Sequence, residues 1–80
     1  MTETKPAPIC QCVERALHHY FEQLEGEPPA GLYDLVLSEV EKPLLKAVMR
    51  HAGSNQSRAA RYLGINRNTL RKKLSLYGIE

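Results

Sequence analysis

An 80-residue chain has room for one domain at most, and its core is marginal because a short chain buries a smaller share of its surface on folding. Disulfide stapling is excluded as the remedy, since Cys10 and Cys12 would close almost no loop. A membrane span is excluded too: no apolar run approaches the ~20 residues it needs, and nothing near Met1 has the basic-then-apolar order of a signal peptide. The net charge of +2 hides a division, because residues 1–53 carry five Lys/Arg against eight Asp/Glu while residues 54–80 carry six against one. A basic segment on an acidic body suits a polyanionic partner at one end only. A second subunit is the expected source of missing core, and a reducing cytoplasm the expected setting.

Residues 1–8, with Pro6 and Pro8, have no apolar period and read as a disordered or extended lead-in. From Ile9 the apolar residues Val13, Ala16, Leu17, Tyr20, Phe21 and Leu24 recur at steps of three and four, the mark of one helical face. Gly26-Glu27-Pro28-Pro29-Ala30-Gly31 ends that helix. A second helix, from about Leu32 to His51, is apolar around too much of its circumference for one neighbour to cover, which again calls for a second copy of the chain. Pro43 lies inside it and predicts a bend rather than a break. Residues 9–53 thus read as dimerisation helices.

The remainder, residues 54–80, reads as a helix-turn-helix within the same structural domain. A short helix opens at Ser54 or Asn55, and a second one, capped by Asn66, runs from Arg67 to Leu76 before Tyr77-Gly78. Ala59 and Ala60 permit close crossing, Gly64 supplies the turn, and Leu63, Ile65, Leu70 and Leu74 point inward. Two helices this short bury too little to stand alone, so they must dock on the helices before them. The last helix then carries Arg67, Asn68, Arg71 and Lys72 outward, with Asn66 and Thr69 at its start and Lys73 counted with them as a DNA-binding candidate. An α-helix fits the major groove, where Arg pairs with guanine and Asn with adenine, so Arg67 and Asn66 are the leading candidates for base contact. Asn55, Ser57 and Thr69, near helix N-termini, suit phosphate oxygens.

Gly64-Ile65-Asn66-Arg67-Asn68-Thr69-Leu70-Arg71-Lys72-Lys73-Leu74 closely resembles the Fis family of bacterial nucleoid-associated proteins, and the likeness extends through Asn55–Ala60, Leu32–Leu37, Glu39–Leu45 and Ala16–Phe21. The resemblance implies an all-α fold of four helices per chain, an intertwined homodimer, and two recognition helices set too close for successive grooves of straight DNA. Double-stranded DNA would then bend, and part of the site preference would rest on its deformability. It also implies that Asn66 and Arg67 contact bases, that Asn55, Ser57, Thr69, Arg71 and Lys72 hold the backbone, and that RNA polymerase is a partner in nucleoid-associated transcriptional regulation. Family members carry an N-terminal hairpin arm that touches recombinases. The residues before Ile9 are too few to build one, so contact with a recombinase lacks support. Ser75 and Leu76 stand where the family often has basic residues, and Asn68 where glycine is common.

Four rival readings are weaker. Cys10, Cys12, His18 and His19 are zinc-ligand types, and Cys12 and His19 could share a face, but closing a four-ligand site would need a second chain, and surface histidines with small buried cysteines are the plainer expectation. An enzyme would need a pocket or cradle that no motif here suggests, so neither catalysis nor a cofactor is expected. The tail motif is shared with NtrC-like activators, whose DNA-binding and dimerisation module is the alternative function; the residues from Ile9 to Leu24 favour the Fis likeness. A scaffold binding a foreign helix along Leu32–Met49 would be monomeric and indifferent to DNA.

Overall fold

Four helices make up the computed structural model, which describes residues 8 to 80: α1 (Ile9–Leu24), α2 (Leu32–His51), α3 (Gln56–Leu63) and α4 (Arg67–Tyr77). Most of the lead-in expected at residues 1–8 lies outside the described residues; Pro8 itself caps α1 with its carbonyl, which accepts from the Gln11 and Cys12 N–H groups at 3.1 and 3.3 Å. No strand occurs among the described residues, and no helix among them is long and apolar enough to cross a membrane. Contacts divide the chain into two units, one ending at Leu32 and the other spanning Tyr33–Glu80.

In the first unit α1 has the expected stripe, with Val13, Leu17, Tyr20 and Leu24 half-buried at steps of four, three and four. The helix buries no residue fully, and Ile9 and Phe21 remain 73% and 44% exposed. Both cysteines are consequently exposed and free, contrary to the expectation of small buried thiols. The helix ends at Leu24, and its cap residue Glu25, with a left-handed backbone (φ 54°), turns the chain ahead of Gly26.

The second unit has a closed core. α2 runs unbroken through Pro43 and contributes Leu45 and Met49 with Ala52 just beyond its end. Ala59 and Ala60 of α3 and Leu70 and Leu74 of α4 complete the cluster, with Val48, Leu63, Ile65, Tyr77 and Ile79 packed around it. The two short helices therefore find their platform on the second half of α2, and the core continues across residue 53. The alanines matter by their size: both are almost wholly buried, and a larger side chain there would push α3 away.

α3 and α4 stop by the same device. Gly64 and Gly78 adopt φ of 75° and 68°, and the N–H of the next residue reaches back five positions, Ile65 to the Ala60 carbonyl at 3.1 Å and Ile79 to the Leu74 carbonyl at 2.8 Å. This closes orphan carbonyls while turning an isoleucine onto the core each time.

Candidate nucleic-acid interface

The start of each short helix is fixed by an asparagine. Asn55 Oδ1 accepts from the Arg58 N–H at 2.9 Å, and Asn66 Oδ1 accepts from the Asn68 N–H at 2.7 Å. Asn55, not Ser54, is thus the cap of α3; Ser54 instead takes a left-handed φ of 64° in the link from α2. After capping, the N–H groups of Gln56 and Ser57, and those of Arg67 and Thr69, have no protein acceptor among the described residues. Free N–H groups at a helix N-terminus are suited to an anion, and the hydroxyls of Ser57 and Thr69 stand exposed at the same two ends.

Along α4 the helical period separates two faces. Arg67, Asn68, Arg71, Lys72 and Ser75 are all exposed, and no ion pair among the described residues engages the three cations in that set. The guanidinium of Arg67, in the first turn, keeps all its donors available. Asn66 is more constrained, because capping holds its oxygen against the helix and leaves chiefly the amide NH₂ to donate. α4 is extended by one residue relative to the sequence reading, taking in Tyr77.

Lys73 does not share that outward face. It lies three residues after Leu70 and four before Tyr77, on the core-facing stripe, and its Nζ meets Glu41 Oε2 at 2.8 Å. The other oxygen of Glu41 accepts from the Tyr77 hydroxyl at 2.6 Å. The bond from Lys73, followed by that from Tyr77, holds the Glu41 carboxyl below its ordinary value, while the bond to Glu41 raises the Tyr77 phenol. Sequence reasoning grouped Lys73 with the outer cations by composition; its place in the heptad with Leu70, Leu74 and Tyr77 was the signal to the contrary. Two exposed cations on α3, Arg58 and Arg61, went unassigned, although they belong to the same basic segment. Among the described residues no cluster of three or more His, Cys, Asp or Glu is placed to hold a metal.

A capped short helix, a glycine turn, and a second helix with a cationic outer face, all seated on a longer helix, define an all-α helix-turn-helix protein. Residues 36–77 match the family model for bacterial regulatory proteins of the Fis family, and residues 1–29 match the model for the N-terminal domain of DNA-binding protein Fis. The chain belongs to the Fis family. A protein of Ralstonia nicotianae carrying the name Fis-like DNA-binding protein is 54% identical over 72 residues, which cover 90% of this chain and 94% of that one. One of the same name from Neisseria meningitidis serogroup A is 53% identical over 79 residues, 99% of each chain. DNA-binding protein Fis of Actinobacillus succinogenes is 56% identical over 72 residues, 90% of this chain and 73% of its own length.

Proposed function

We propose that the chain acts as a homodimer that binds and bends duplex DNA, working in the cytoplasm as a nucleoid-associated regulator of transcription, with RNA polymerase as a partner. The observation that carries this reading is the outer face of α4: Arg67, Arg71 and Lys72 exposed and unpaired among the described residues, beside two helix starts with free N–H groups. That combination is complementary to a sugar-phosphate backbone flanking a groove. Arg67 and Asn66 contact base edges, with Asn68 on the same outward face; Asn55, Ser57, Thr69, Arg71 and Lys72 hold phosphates and set the register. No residue is assigned a catalytic role.

Uncovered apolar surface supports dimerisation. α1 buries nothing fully, and Tyr33, Leu35, Leu37 and Leu44 on α2 are 76%, 37%, 46% and 44% exposed. A shared helical centre built from residues 9–53 of two chains would cover them, while residues 54–80 present the reading helices. The match of residues 1–29 to the Fis N-terminal model favours this over the module of an NtrC-like activator.

Gel shifts with circularly permuted probes over a salt series test the whole reading. Binding that weakens steeply with salt, with mobility depending on site position, is the expected result. Arg67→Ala should weaken binding and relax preference at one symmetric position, whereas Lys72→Ala should weaken all sites alike. Indifference of the unsubstituted chain to duplex DNA in dilute buffer would overturn the proposal.

A further inference from the structure

Glu41 and Lys73 are charged residues on two stripes that are otherwise apolar. Glu41 precedes Leu45 by one helical turn and Met49 by two, so it lies on the same face of α2 as the core. Lys73 shares its face of α4 with Leu70, Leu74 and Tyr77. The two charges meet where the core ends, half-buried, beside a groove of about 250 Å³ lined by Leu37, Val40, Glu41, Leu44 and Lys73.

The geometry there differs in kind from the apolar packing. Leu70 and Leu74 make non-directional contacts, which tolerate a small rotation of α4 about its axis or a slide along α2. One carboxylate accepting from Lys73 and Tyr77, a turn apart on α4, resists both, because each oxygen has its own donor at 2.8 and 2.6 Å. A rotation of α4 would carry Arg67, Arg71 and Lys72 around with it.

We propose that Glu41 is a positioning residue for the recognition helix, holding its axial rotation through Lys73 and Tyr77, and that Lys73 is an internal clamp rather than a phosphate ligand. The proposal rests on the DNA-binding reading above and narrows it: of the four cations on α4, three face the duplex and the fourth is neutralised within the protein. The acidic partner on α2 is thereby part of the reading apparatus although it never meets DNA.

A charge swap with a salt series separates the two roles of Lys73. Each lost phosphate contact lowers the slope of log K against log salt by about 0.9, so a phosphate-binding Lys73 would cost about that much per half-site. The unsubstituted chain, Lys73→Glu, Glu41→Lys, the Glu41→Lys/Lys73→Glu double variant and Arg71→Ala are compared on one duplex, at a temperature where circular dichroism shows each to be folded. Lys73→Gln, which keeps a donor toward Glu41, replaces Lys73→Glu if that variant does not fold. The clamp predicts that either single swap weakens binding tenfold or more, that the double swap recovers to within about threefold of the unsubstituted chain, and that Lys73→Gln leaves the slope unchanged while Arg71→Ala reduces it. A double swap as weak as Lys73→Glu alone, or a reduced slope in Lys73→Gln, overturns the clamp while the DNA-binding reading stands. Absence of binding by the unsubstituted chain overturns both.

Discussion

Leu45, Leu70 and Leu74 are each no more than 2% exposed, enclosed by residues that all come from one chain, whereas α1 has a stripe of comparable apolar character and encloses nothing. The contrast lies in what each stripe has to meet. Across the helix-turn-helix, two short helices cross closely at Ala59 and Ala60 and drop their leucines onto the second half of α2. α1 buries no residue fully, and in the first half of α2 Tyr33, Leu37 and Leu44 stay open. The C-terminal end of the chain thus has a closed core, while the apolar residues of α1 and of the first half of α2 stay open, which is the surface the proposed dimer would use.

Breaking the closed end should have the largest effect. Leu70→Ala removes a fully buried side chain at the junction of α2, α3 and α4, and should cost about 3 kcal/mol in urea unfolding, the usual range for a leucine truncated in a packed core. An equivalent truncation at Ile9, which is 73% exposed, should leave the unfolding of an isolated chain nearly unchanged, so a comparable loss there would show that Ile9 is buried in the dimer.

Dilution sharpens the open end. If a second copy completes the core, a hundredfold drop in chain concentration lowers the apparent stability by about 2.7 kcal/mol, read as a falling urea midpoint. A midpoint independent of concentration, together with a monomer in sedimentation, would dismiss the shared core.

Smaller effects probe the local devices of the closed end. Asn55→Ala deprives the Arg58 N–H of its acceptor and should destabilise by about 1 kcal/mol, with Asn55→Gly milder, as measured by thermal unfolding. The smallest effect is a pH dependence. The Glu41 carboxyl is lowered from 4.5 by Lys73 and Tyr77, so its contribution is complete above that value and is lost as pH falls through the depressed one. The Tyr77 phenol, raised from 10.0 by Glu41, contributes below that value and loses its share as pH rises through the raised one. Glu41→Gln should flatten the acid limb of the stability profile, and a profile identical to that of the unsubstituted chain would show the pair to be energetically idle.

Much of this was legible in order along the chain. Steps of three and four from Ile9 to Leu24, the Pro-Gly interruption at residues 26–31, and the asparagines before α3 and α4 act over a few residues, so local physics placed the four helices. The same holds for Gly64, where a left-handed turn is cheap only without a Cβ, and for the basic outer face of α4. Pro43 inside an unbroken α2 was likewise readable, because one missing N–H costs a single bond within a helix buried along its second half.

Tertiary structure alone decided which charged residues face one another. Composition put Lys73 with the basic set of α4, but that it pairs with Glu41, 32 positions away on α2, is invisible to any local period. It decided as well that the short helices rest on Leu45 and Met49, and that both cysteines lie outside any packed surface. The reason is common to all three: periodicity specifies which face of a helix turns inward, while the identity of the neighbour on that face depends on how distant segments cross, and only the assembled fold contains that information.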